Sequence, residues 1–369
     1  MKISDKIIKI INEEEEKCIG CKLCMNGCPM LDKFCDSPKE LLKELKCNGE
    51  FDYILPYSCM LCGYCTKVCP KGVDLKNLFL ELRRDVVNQS NGKLARNLNT
   101  NGVDLHQKLS FSNLFTSNIQ NLQSDTIFFP GCGLLSYSPK IVEDTYRYLR
   151  TKIGGIGIYT KCCGKPTAFM GKDEKFKEYY SILEKEFRDK NIKRIITGCQ
   201  NCFMTIGNNS KDIEVISLWE VLANVGIPEE KIGIGKSINV EFTIHDPCPT
   251  RDIDIIHSSI RQIVDELGFK IDEMEYNKGK TLCCGSGGMV SVTQNHVSEA
   301  HTIRRAQEAK TEYIITYCQE CVESMRRGGK KSYHILDLLF TEGFQNMEQK
   351  NQGVITKWTN RYKGKNIGK

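Results

Sequence analysis

Cysteine spacing constrains this chain more than any other feature. Cys18, Cys21, Cys24 and Cys28 follow the pattern C-x2-C-x2-C-x3-C with Pro29 next, and Cys59, Cys62, Cys65 and Cys69 repeat it with Pro70 next. Three thiolates on one tight loop suit three irons of a cubane, because each sulfur faces a different corner. Structural zinc usually takes pairs of cysteines separated by a longer loop, whereas each run here packs four within eleven residues. The whole chain holds 20 cysteines. No apolar run is long enough for a membrane span, and the N-terminus is too acidic for a secretory signal. A cytoplasmic location is therefore expected, peripheral to a membrane only through a partner. There thiols stay reduced, so this many cysteines point to metal rather than disulfides.

Where two such runs occur together, the fourth cysteine of each serves the other cluster. The expected sets are Cys18, Cys21, Cys24 and Cys69 on one cubane [4Fe–4S] cluster, and Cys59, Cys62, Cys65 and Cys28 on the second. The segment between the runs is longer than a compact ferredoxin requires. Within it Ser37-Pro38-Lys39-Glu40 reads as a capping box opening a helix to about Cys47, stopped by Asn48-Gly49. A further helix is expected from near Asp74 through Leu75, Leu78, Phe79 and Leu82. The module resembles the helical ferredoxin of respiratory iron–sulfur subunits. Cys35 and Cys47 are left over and read as thiols without a ligand role.

The remaining cysteines form two copies of one pattern. The first set is Cys132, Cys162, Cys163, Cys199 and Cys202; the second is Cys248, Cys283, Cys284, Cys318 and Cys321. Each copy opens with an apolar run, 126–130 or 241–245, followed by a helix-like stretch, 139–152 or 253–267. Then come Cys-Cys-Gly, a second helix, a short strand at 194–197 or 313–316, and Cys-x-x-Cys. A last strand and helix begin at 214–218 or 332–336. Strands alternating with helices suggest parallel α/β layers, with the cysteines at the strand C-terminal ends where such sheets bind ligands.

This order, C…CC-G…C-x2-C, resembles the cysteine-rich (CCG) domains of heterodisulfide reductase. Two ferredoxin runs ahead of two such domains resemble in particular the reductase subunit that joins both in one chain. The layout is also similar to the iron–sulfur subunits of glycolate oxidase and anaerobic glycerol-3-phosphate dehydrogenase. The resemblance implies a noncubane [4Fe–4S] cluster in each complete five-cysteine motif, with zinc as the alternative occupant of one of them. It implies an oxidoreductase component passing electrons between two cubane and two noncubane clusters, with thiol–disulfide chemistry on a small disulfide or thiol. The alternative is a non-catalytic relay subunit serving a flavin-dependent 2-hydroxy-acid or glycerol-3-phosphate dehydrogenase. Either way a flavoprotein or other redox subunit is the expected partner. The second copy departs from the family at His245-Asp-Pro-Cys248-Pro249-Thr-Arg251, where relatives often place histidine directly after the cysteine. The Cys-x-x-Cys pairs enclose Gln-Asn and Gln-Glu, where relatives often have proline.

The expected architecture is an α+β multidomain chain. A helical two-[4Fe–4S] ferredoxin domain spans 1–95, and a linker with some amphipathic helix spans 96–124. Two tandem α/β cysteine-rich repeats, related by pseudo-twofold duplication, span 125–240 and 241–345, and a basic tail spans 346–369. The charge balance, 52 basic against 46 acidic residues, implies no nucleic-acid partner. The pairs Arg83-Arg84, Arg304-Arg305 and Arg326-Arg327 read as solvated helix faces. The glycine-rich stretches 154–157 and 285–288 lack the G-x-G-x-x-G pattern of nucleotide loops. Lys165, His245, Arg251 and His296 lie near the motifs and read as structural or solvent-facing.

Overall fold

A computed structural model describes residues 1–238 and 240–369. At the N-terminus the helices Asp5–Lys17, Pro38–Asn48 and Leu75–Gln89 carry the cysteine loops. The middle one starts where the sequence places it. Pro38 occupies the first turn, where its missing N–H costs nothing, and the Ser37 hydroxyl accepts from the Glu40 N–H. Asp74 caps the third helix by accepting from the Asn77 N–H. Leu42, Leu78 and Leu82, all 0% exposed, turn inward with Ile7 and Ile11. Each such side chain contributes roughly 1.5–3 kcal/mol by leaving water.

The rest of the chain builds two four-stranded, wholly parallel sheets. In the first, β1 (Thr126–Phe129), β2 (Gly157–Ile158), β3 (Arg194–Thr197) and β4 (Glu214–Ser217) lie in the order β2-β1-β3-β4. In the second, β5 (Glu241–His245), β6 (Lys270–Glu273), β7 (Tyr313–Thr316) and β8 (Lys331–His334) lie in the order β6-β5-β7-β8. The register matches too: Phe129 pairs with Thr197, and His245 with Thr316. The edge strands β2 and β6 carry no sequence signal. One is two residues long, and the other, Lys-Ile-Asp-Glu, is polar and exposed at both ends.

The sheets exchange helices. Leu218–Val225, which follows β4, packs on Asp254–Leu267 of the second repeat, and Ile335–Phe340, which follows β8, packs on Pro139–Ile153 of the first. Leu222, Ile260 and Ile263 thereby join Phe128, Ile158 and Tyr333 in one continuous core. Trp219 is fully buried there, edge-on to Tyr317 at 5.9 Å between ring centroids.

The linker and tail are structured. Residues 101–110 form a helix that packs on Lys165–Phe169, and Val354–Gly364 form another that packs on Cys132–Tyr137 and Pro139–Ile153. No helix among the described residues is long and apolar enough to cross a membrane.

Candidate metal centres

The two ferredoxin-like runs close around two cavities. Cys18, Cys21, Cys24 and Cys69 line one, beside Pro38, Val73 and Leu75. Cys28, Cys59, Cys62 and Cys65 line the other, beside Met30, Leu31 and Phe79. Cys69 thus stands with the first run and Cys28 with the second, as the crossed expectation has it, while Cys65 lines both cavities. Burial pushes the Cys24 thiol up to about 11 and the Cys59 thiol up to about 12, and it drives Cys28 and Cys65 well above their ordinary range. Neighbouring thiolates add to the effect at Cys24, Cys28 and Cys65. At the second cavity the buried sulfurs of Cys28, Cys59 and Cys65 disfavour charge on one another, and held together as thiolates they need a cation. The donor set fits a cluster on that ground. Cys35 stands outside, its thiol donating to the Leu31 carbonyl, and Cys47 is exposed.

The second cavity has an unexpected wall. Leu282, Cys283 and His301 of the second repeat close it, so that Cys283 stands against Cys62 in one lining. That contact, with help from the Arg251 guanidinium, pulls the Cys62 thiol down to about 6. Arg251 donates to the carbonyls of Cys62, Gly279 and Thr281.

In the first repeat the sulfurs of Cys132 and Cys162 lie 3.6 Å apart. Cys163 pairs with Cys202, and Cys202 in turn with Cys199. Hydrogen bonds from Cys132 and Cys163 hold Cys162 well below the ordinary thiol range, with the Gln107 amide donating at 3.5 Å. In the second repeat Cys321 and Cys284 lie 3.2 Å apart, and Cys283 contacts Cys248. Cys284 is likewise held low, by Cys283 first and Cys321 next. All five cysteines of each set thus lie at one sheet edge. Gly131 and Gly285 make room there. A Cβ on Gly131, at φ +85°, would lie 2.7 Å from the Cys199 Cβ. One on Gly285, at φ +93°, would lie 2.3 Å from the Thr302 Oγ1. The two sets come near enough at Cys199 and Cys318 for charge on the first to raise the thiol of the second.

Family comparison agrees with this geometry. The 4Fe-4S dicluster domain family matches residues 17–74, and the CCG cysteine-rich domain family matches 126–207 and again 242–326. The chain carries one dicluster domain and two CCG domains. It is 26% identical to an uncharacterized iron-sulfur protein of Methanococcus maripaludis, over 87% of this chain and 67% of the relative. It is 25% identical to a subunit of fumarate reductase (CoM/CoB) of Methanothermobacter marburgensis, over 87% and 71%. It is 24% identical to a subunit of dihydromethanophenazine:CoB–CoM heterodisulfide reductase of Methanosarcina mazei, over 63% and 62%.

Several residues around the CCG domains come from segments that carry no motif. Gln107 belongs to the segment read as linker. Arg361, 1% exposed in the segment read as tail, donates to Ser110 Oγ at 2.7 Å and lies close enough to Cys132 to lower its thiol. Arg83 and Arg305 overturn the expectation of solvated faces, since both are 0% exposed. For Arg83 a signal existed: it shares the apolar stripe of Leu75, Phe79, Leu82 and Val86 at three- and four-residue steps. His296 is on the surface against Lys33, and Lys165 lies 4.7 Å from the centre of the Phe169 ring. His245 is buried beside Cys284 and Cys321.

Proposed function

We propose that the chain is the iron–sulfur subunit of a redox complex, conducting electrons from two cubane [4Fe–4S] clusters into noncubane clusters of the CCG domains. One shared cavity carries this reading: Cys62 of the ferredoxin-like set and Cys283 of the second CCG set line it together. The ligand sets are those expected from the spacing, four cysteines per cubane and five per CCG motif. Clusters so held supply one-electron carriers, and the CCG pair supplies a place for two-electron thiol–disulfide chemistry in which a disulfide plus two electrons and two protons gives two thiols. The protein's own residues set the path. Arg251 ties Cys62 to the loop before Cys283, while Met30, Leu31, Phe79 and Leu282 keep water from the junction. The resemblance to heterodisulfide reductase favours a disulfide substrate, with the electrons delivered by a flavoprotein or other redox subunit.

Anaerobically purified protein is expected to hold about sixteen irons and as many sulfides, four per cluster. A preparation holding about eight irons, with zinc in the remainder, overturns the four-cluster assignment. Adding small disulfides to the reduced protein should perturb a noncubane electron-paramagnetic-resonance (EPR) signal. Indifference to every disulfide tried removes the substrate and leaves a relay.

A further inference from the structure

His245, Cys284 and Cys321 place one ring nitrogen and two sulfurs within 4.8 Å of one another, all buried. Taken alone, that trio looks like three ligands of a tetrahedral zinc site. The other side of the imidazole decides otherwise. Its Nδ1 accepts a hydrogen bond from Arg305 Nε at 2.9 Å. Arg305 is 0% exposed and anchored: it donates to Glu308 Oε2 at 2.6 Å and to Thr281 Oγ1 at 3.1 Å. A guanidinium has only donors, so it occupies the Nδ1 lone pair, and the ring proton must sit on Nε2. A metal-ligating histidine shows the opposite polarity, donating its other N–H to a carboxylate or carbonyl. His245 Nε2 is buried with no hydrogen-bond partner, and the ring lies beside the two sulfurs.

We propose that His245 is not a ligand. It is a fixed N–H donor to the sulfurs of the second CCG centre, held in that tautomer by Arg305. The inference rests on the cluster reading of that centre. Hydrogen bonds to cluster sulfur favour the more negative, reduced state and so raise the reduction potential. The device is particular to the second domain. The residue in register in the first sheet is Phe129, also three positions before the opening cysteine, and there the side-chain donor is Gln107, from outside the sheet. The two centres therefore reach their potentials by different means, and His245 tunes only one of them.

The test uses the anaerobic full-length protein. In His245→Phe, which copies the first domain, iron content should be unchanged. One noncubane EPR signal should then titrate at a lower potential, by about the 59 mV of a tenfold change in a one-electron equilibrium. The other signals should stay in place. Pulsed EPR on protein with 15N-labelled histidine should show only weak nitrogen coupling at that centre, and His245→Gln, which keeps an N–H, should recover part of the shift. An unmoved potential, strong directly bonded nitrogen coupling, or metal loss on substitution each overturns the proposal. If the second centre holds zinc, the cluster reading itself has failed. X-ray absorption of that zinc then tests the histidine: a nitrogen ligand overturns its assignment as a donor, and sulfur ligands alone support it.

Discussion

Replacing Arg83 by methionine should loosen the junction where all three domains meet. Four hydrogen bonds run from its guanidinium to carbonyls: Pro56 at 2.9 Å, Cys59 at 2.7 Å, Phe169 at 2.6 Å and Gly288 at 2.7 Å. Pro56 and Cys59 belong to the ferredoxin-like domain, Phe169 to the first CCG domain and Gly288 to the second. Tyr57 covers the guanidinium, its ring centre 4.9 Å away. Hydrogen bonds from a charged donor contribute roughly 1.5–3 kcal/mol each, so four give on the order of 6–12 kcal/mol. Desolvating the ion costs several kcal/mol. The difference, about 4 kcal/mol, is what Arg83→Met should remove, because methionine fills part of the volume but leaves four buried carbonyls unpaired. Lysine would keep the charge yet lose the planar fork that reaches carbonyls on three sides, so Arg83→Lys should recover less than half. Amide hydrogen exchange on the anaerobic protein reads the effect locally. At about 1.4 kcal/mol per tenfold, amides near 56–61, 168–172 and 286–290 should exchange about a thousandfold faster in Arg83→Met. Exchange within about tenfold of wild type at all three segments would refute the clamp.

Two further outcomes follow from other buried groups. Burial pushes the Asp337 carboxyl up to about 6, against hydrogen bonds from the Tyr137 hydroxyl at 2.6 Å and the His334 N–H at 2.8 Å. Its folded value lies above the ordinary 3.8, so its contribution is fully present below about pH 4 and is lost as pH rises through about 6. The gap of about two between those values amounts to about 3 kcal/mol, measurable as a steeper fall in the urea midpoint over that window than Asp337→Asn shows. A wild-type slope equal to that of the variant contradicts it. Gly285→Ala drives a Cβ to 2.5 Å from the Ser298 carbonyl in a left-handed conformation. It should cost the second CCG set about four irons while the other sets keep theirs. Gly207→Ala, which meets nothing within 4 Å, should leave iron content intact, and equal iron in the two variants would contradict the steric reading.

Much of the architecture was legible because its causes are local. Pro38 after Ser37, the capping Asp74, and apolar residues three and four apart set helix starts within one or two residues of those observed. The central strands showed as apolar runs, each leading to a cysteine. Strands β2 and β6 did not, because an edge strand so short or so polar takes its conformation from the neighbour it pairs with. The helical character of residues 354–364 was equally hidden. That helix is held by packing on Cys132–Tyr137 and by Arg361 reaching Ser110, 251 residues earlier.

The cysteine sets show the same division. Spacing grouped the eight cysteines of the two tight runs, where a thiol's neighbours are fixed by chain connectivity, and the repeated pattern grouped the other ten. It also gave the crossed expectation for the fourth cysteines, and Cys69 and Cys28 each line the cavity of the opposite run. What only the tertiary structure decided is how the sets meet: Cys62 against Cys283, Cys199 near Cys318, and His245 polarised by Arg305. Those relations depend on side chains 60 to 221 positions apart, and no local propensity encodes them. They arise when two sheets bury one core and leave their cysteine edges nowhere to go but toward each other and the ferredoxin-like loops.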